Sequence, residues 1–194
     1  MKNNNEKNTV HKRHKTVVTV CEGAILIALS VVLSYLEFDI GAQGGSISFT
    51  MIPLVVFALR RGPLYGLSAA GAFGLLKFML GGEAIAWESI VFDYLLAYTA
   101  VGIAFVGKLV PLKSEAVKSI IGTLAACLTR YFVHFISGVT IYAKYMPESF
   151  LGMNMQNAAV YSLLYNGVYM LPSTVVTLII VPVLYTATLK YLKD

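Results

Sequence analysis

Apolar residues come in six blocks separated by short polar or glycine-rich breaks. A bilayer crossing takes about 20 residues, and six of them account for most of the chain. The blocks predict helices over residues 16–36, 49–59, 63–80, 88–110, 116–145 and 157–192, the second of them short. Residues 1–15 read as a polar, basic tail, leaving 16–194 as a single membrane domain. The first block is longer than a signal-peptide core and lacks a small-residue cleavage site, so it is read as helix one. Pro63 falls in the first turn of helix three, where its missing amide donor is harmless. Gly81 and Gly82 end that helix, and Pro172 and Pro182 are expected to bend helix six.

Composition turns this pattern into a solvent assignment. Of 194 residues, 57% are hydrophobic and 13% charged, against roughly 25% charged in soluble domains. Mean hydropathy is +0.72. A chain this size has no interior able to hide so much apolar surface, so lipid is its main solvent and a soluble enzyme is excluded. The net charge of +5 is concentrated in the tail, at Lys2, Lys7, Lys12, Arg13 and Lys15, which suits a segment beside a membrane and not a nucleic-acid partner. Cys21 and Cys127 sit within apolar runs and read as buried hydrophobes, with no disulfide or metal role. With six spans, twelve of the fifteen Lys and Arg residues fall on the face that carries both termini, while Glu37, Asp39, Glu83 and Glu148 fall on the other. The positive-inside rule then makes both termini cytoplasmic.

Ionisable groups inside spans need a partner or a cavity, since each costs about 2.5–3.5 kcal/mol to insert. Glu22 and Lys77 lie near helix ends and are expected to reach the interface. Asp93, Arg130 and His134 lie deeper. At 1.5 Å per residue, Asp93 falls roughly 8 Å below the outer end of helix four, with Arg130 and His134 roughly 21 and 27 Å along the rising helix five. Tyr161 and Asn166 fall roughly 6 and 14 Å down helix six, so three helices deliver polar groups to one level. Arg130, His134 and Gly138 share a stripe, as do Ser162 and Asn166. Tyr94, Tyr98, Tyr142, Tyr145, Tyr161, Tyr165 and Trp87 gather in the same region. Most belong to an interfacial belt, yet combined with Asp, Arg, His and Asn they describe a pocket with stacking walls. A purely structural Asp93–Arg130 salt bridge is the competing reading. Gly62, Gly66, Ala70 and Gly74 form a small-residue ridge on helix three, suited to close packing, and Ala24 and Ala28 form a similar pair on helix one. Nothing matches a metalloprotease, thiol-redox, serine-hydrolase or phosphate-loop motif, so neither catalysis nor nucleotide-driven pumping is expected from this chain.

The segments GGSISFTMIPLVVFALRRG (44–62), VFDYLLAY (91–98), RYFVHFISG (130–138) and YSLLYNG (161–167) resemble the thiamine-specific S components, the ThiT family, of energy-coupling factor vitamin transporters. The resemblance implies an all-α, six-helix substrate-capture subunit of a prokaryotic plasma membrane, with no enzymatic activity and no cofactor. Its implied partners are thiamine, a transmembrane coupling subunit and two ATP-binding-cassette ATPases. By position it implies substrate contacts at Asp93, Tyr94, Arg130, His134, Gly138, Tyr142, Tyr161 and Asn166, and a coupling-subunit surface at Ala24 and Ala28. Tyr142 stands where the family pattern has a stacking tryptophan, and Gly44 and Ser48 where the first outer loop has a tryptophan and a carboxylate; Trp87 is a candidate substitute for the missing ring. The alternatives are an S component for another vitamin or precursor, and a solitary transporter driven by protons through Asp93 and His134. Thiamine itself joins a thiazolium cation to an aminopyrimidine, so it calls for an aromatic face and a carboxylate.

Overall fold

On the last helix, Leu171, Val175, Ile179 and Val183 recur every fourth residue and are all exposed, while Asn166, Ser173 and Thr177 are buried. A four-residue repeat places side chains on one stripe. An apolar stripe turned outward with hydroxyls turned inward is the arrangement of a helix in lipid, where packing and internal hydrogen bonds replace the hydrophobic effect as the force between helices.

The computed structural model describes residues 2–40 and 45–191. Gly44 and Leu192, which belong to the motif and the helix predicted above, lie outside the described residues. Among the described residues there are six helices: α1 (Lys2–Ser34), α2 (Met51–Arg61), α3 (Pro63–Met79), α4 (Trp87–Leu109), α5 (Glu115–Thr140) and α6 (Ala158–Tyr191). Four of them, over Lys12–Ser34, Trp87–Leu109, Glu115–Thr140 and Ala158–Tyr191, are long and apolar enough to cross a membrane. The 11 residues of α2 rise only about 16 Å, and Met51 to Leu59 are all buried by neighbouring helices.

Boundaries differ from the sequence expectation at two places that matter. Helix α1 begins at Lys2, not at the apolar boundary, so the basic tail continues the helix; Thr16 Oγ1 and Thr19 Oγ1 donate to the carbonyls of Lys12 and Lys15 along it. Helix α5 stops at Thr140, which leaves Tyr142 and Tyr145 in the turn that follows. Caps set two starts: Ser114 Oγ accepts from Val117 N at the head of α5, and Asn157 Oδ1 accepts from Val160 N at the head of α6. Two short hairpins join helices at the same end of the bundle, β1 (Phe38–Asp39) with β2 (Ser46–Ile47) and β3 (Ser149–Phe150) with β4 (Met153–Asn154).

Three of the four residues of the small-residue ridge, Gly66, Ala70 and Gly74, pack internally as expected, while Gly62 precedes α3 and has open space beside it. Gly66 meets Ala58 of α2, Ala70 is fully buried, and a Cβ on Gly74 would stand 2.3 Å from the Tyr94 carbonyl of α4. Beside it, Phe73 and Tyr98 meet edge to face with centroids 4.8 Å apart. Met51, Leu54, Val55, Leu59, Val101 and Val181 complete the core. Helix α5 packs along both α6 and the end of α4. Cys127 is buried, but Cys21 faces outward from α1, on a helix whose apolar residues mostly face the surroundings. Glu22 does not reach for an interface either: it pairs with Arg60 at 2.7 Å and with Arg61, tying α1 to the end of α2.

Candidate functional site

One stretch of α4, Ile90–Leu96, is wound as a π-helix. A wider turn shifts the register of the side chains that follow, and such turns are frequent at functional sites. This one carries Asp93 and Tyr94. Both line a cavity of about 670 Å³ enclosed by the ends of α3, α4, α5 and α6 and by the β1–β2 hairpin, within the range typical of small-molecule sites. All eight residues singled out from the sequence line it: Asp93, Tyr94, Arg130, His134, Gly138, Tyr142, Tyr161 and Asn166.

The polar groups form a connected chain. Arg130 Nε donates to His134 Nε2 at 3.4 Å, and His134 Nδ1 lies 3.3 Å from Asp93 Oδ1. Arginine has only donors, so Nε2 of the imidazole is the acceptor and Nδ1 carries the proton given to Asp93. Asp93 and Arg130 are therefore linked through His134 rather than by the direct salt bridge considered above. Arg130 is buried, with its guanidinium carbon 4.2 Å from the centroid of Tyr98, a cation–π contact that holds the charge without a carboxylate. The second carboxylate oxygen, Asp93 Oδ2, is buried and has no hydrogen-bond partner within 3.5 Å among the described residues, the Tyr142 hydroxyl being the group that interacts with this carboxylate from further off.

Opposite this chain, α6 supplies a second network. Asn166 Nδ2 donates to the Ser162 carbonyl at 2.8 Å and to Ser162 Oγ at 3.1 Å, and Tyr169 OH donates to Asn166 Oδ1. Ser162 Oγ in turn donates to the Phe135 carbonyl of α5 at 3.0 Å. Close approach here depends on Gly138, where a Cβ would stand 2.1 Å from Ser162 Oγ. An aromatic ladder climbs the same wall. Tyr161, Tyr165 and Tyr169 follow one another at centroid distances of 5.5 and 5.9 Å, Phe150 caps the upper two, and Tyr169 reaches His134 at 6.1 Å. Tyr142, beyond the end of α5, has its hydroxyl pKa raised by burial and then by the Asp93 charge, so the phenol stays neutral.

Several lining groups escaped sequence reasoning. Lys77 does not snorkel: it pairs with Glu37 in the cavity wall, and Glu37 Oε2 also accepts from Ser46 Oγ at 2.9 Å. Tyr169 and Ser137 were missed as well. Tyr161, Tyr165 and Tyr169 stand four residues apart, a spacing that marks a shared face and was available as a signal. Conversely, Trp87 is 71% exposed and lies outside the cavity wall, so it supplies no stacking face. Ser48 is buried away from the cavity against Thr50, with its amide donating to Ser173 Oγ. Ala24 and Ala28 point outward from α1, and Gly23 is the residue that packs inward, against Phe57. The pair is thus a free surface and not an internal contact.

Comparison with known proteins gives a consistent picture. The family described as "Thiamine transporter protein (Thia_YuaJ)" matches residues 20–193. The thiamine transporter ThiT of Lacticaseibacillus paracasei is 34% identical, over 90% of this chain and 90% of its own length. The thiamine transporter ThiT of Bacillus subtilis is 30% identical, over 93% and 96%. The solved structure of ThiT from Listeria monocytogenes superposes with a TM-score of 0.77 at 28% identity, covering 91% of this chain and 97% of that one.

Proposed function

Because the chain belongs to the thiamine transporter protein family and is a multi-pass membrane protein, not an enzyme, we propose that it captures thiamine in the cavity between α4, α5 and α6. In this reading the cavity opens outward, both termini face the cytoplasm, and the chain acts as the S component that hands its vitamin to a coupling subunit and two ATPases, docked over Ala24 and Ala28.

The observation that carries the proposal is the open valence of Asp93. A buried carboxylate oxygen without a donor is unfavourable, and Asp93, a residue of the tyrosine-lined cavity wall, carries such an atom in Oδ2. The exocyclic amine of the aminopyrimidine supplies the missing donor. His134 holds the other oxygen, so the carboxylate is oriented before the ligand arrives. The thiazolium then rests against aromatic rings, Tyr142 and the Tyr161–Tyr165 ladder, a contact contributing about 0.5–2 kcal/mol. The only full cations among the lining residues are both committed: Lys77 to Glu37 and Arg130 to Tyr98 and His134. Neither repels a cationic guest as a bare charge does.

The test is a thiamine titration of the purified chain without ATP, followed by quenching of tyrosine and tryptophan fluorescence, with mass spectrometry of small molecules that co-purify. Saturable binding is expected. No binding, or a different vitamin recovered, overturns it. The Asp93–His134 contact also favours a second reading, a solitary proton-coupled thiamine transporter. Proteoliposomes holding this chain alone then accumulate thiamine under a pH gradient; absence of uptake removes that reading.

A further inference from the structure

Most buried helical hydroxyls in this protein bond back to the preceding turn or to a neighbouring helix, as Thr177 does to the Ser173 carbonyl and Ser162 to the Phe135 carbonyl. In α5, Ser119 donates to the Ala116 carbonyl, and Thr123, Thr129 and Thr140 donate to the carbonyls four residues earlier, each at 2.7 Å. Such back-bonds are the usual way for a hydroxyl to be satisfied inside a helix. Ser137 is the exception on that helix. It is 1% exposed, and its Oγ has no partner. Among the described residues only three buried side-chain polar atoms lack a partner, Ser30 Oγ, Asp93 Oδ2 and Ser137 Oγ. Two of the three belong to residues on the wall of the same cavity, and Ser30 does not line it.

Coincidence of the two open valences has chemical content. A carboxylate oxygen can only accept, and a hydroxyl can donate. Together they complement a ligand edge that carries an N–H donor beside a nitrogen acceptor, which is the edge of an amino-substituted nitrogen heterocycle. Ser137 stands seven residues after Arg130 and three after His134, and so on nearly the same helical face as those two. We infer that Ser137 is a further substrate-contacting residue, whose hydroxyl donates to the pyrimidine ring nitrogen beside the amine that Asp93 accepts. The inference rests on the thiamine-binding reading and adds to it the group that reads the ring.

The experiment compares thiamine with the analogue in which that ring nitrogen is replaced by CH, titrated against the full chain in detergent. Ser137→Ala weakens thiamine about three- to tenfold, the effect of one neutral hydrogen bond, and leaves affinity for the analogue unchanged. The melting temperature of the ligand-free variant does not fall, because the hydroxyl removed has no internal partner. Ser30→Ala removes the third unpartnered hydroxyl and changes neither affinity. Equal losses for both ligands, an unchanged affinity for thiamine in Ser137→Ala, a drop in ligand-free melting temperature, or a loss in Ser30→Ala as large as in Ser137→Ala each overturns the assignment while leaving thiamine binding standing. Failure of the unmodified chain to bind thiamine overturns the functional reading and this inference together.

Discussion

The two ends of the helix bundle are built on opposite rules. At the closed end, α2 is buried from Met51 to Leu59, and the turns of α4 and α5 touch backbone to backbone: a Cβ on Gly107 would stand 2.1 Å from the Lys118 carbonyl, and one on Gly122 would stand 2.2 Å from the Ala104 carbonyl. The acidic residues there are paired within the chain, Glu22 with Arg60 and Arg61, and Glu115 with Lys118. At the cavity end the same helices diverge around about 670 Å³, and Asp93 and Ser137 keep hydrogen-bonding capacity unused. The contrast separates two uses of polarity in a membrane. Satisfied groups fasten helices together, and unsatisfied ones, placed where packing is withheld, mark where a guest completes the structure.

Substitutions at the two ends therefore fail in different ways. The largest effect is expected at Gly107→Val, where added carbons meet backbone that has no room to yield; such overpacking costs about 1–3 kcal/mol or more. The yield of monodisperse protein should collapse or its melting temperature drop by several degrees, and normal stability would show that the closed end is looser than described. Asp93→Ala comes next and behaves oppositely. Losing a hydrogen bond to a charged group is worth about 1.5–3 kcal/mol, so thiamine affinity should fall about ten- to hundredfold in a titration, while the ligand-free protein, which loses only the Asp93–His134 contact at 3.3 Å, should melt only slightly lower. Gly138→Ala sits between the two regimes. Its methyl displaces Ser162 Oγ and disturbs the Asn166 network, so affinity should fall about tenfold with a small drop in melting temperature. Glu37→Gln should have the smallest effect on stability, within about 1 kcal/mol for a pair that is not fully buried, and should weaken thiamine severalfold because Lys77 is left as an unneutralised charge in the cavity wall. Thermal-shift and binding measurements on these variants rank them, and a reversed order would dissolve the distinction between the ends.

Much of this was readable from the chain alone, for one reason: in an apolar span an ionisable residue stands out. Asp93, Arg130 and His134 were placed at one level by counting residues along helices, and they do meet. What was not readable depended on partners far apart in sequence. Lys77 finds Glu37 across 40 residues, and nothing in helix three alone distinguishes an engaged lysine from a snorkelling one. The π-helical turn that carries Asp93 leaves no mark in composition, and a serine in a helix gives no sign of whether it bonds back, so Ser137 looked like Ser119. Trp87 misled because an aromatic residue near a helix end serves as an interfacial anchor as readily as a stacking wall. The free face of Ala24 and Ala28 became clear only once Gly23 was seen to hold the packed side.

The most direct measurement of the central claim pairs thiamine with oxythiamine, in which a carbonyl replaces the exocyclic amine, against the unmodified chain and Asp93→Ala. If Asp93 Oδ2 is the acceptor for that amine, the unmodified chain should prefer thiamine by at least about tenfold, and the preference should vanish in the variant. A preference that survives intact in Asp93→Ala would show that this carboxylate does not read the amine and would contradict the account.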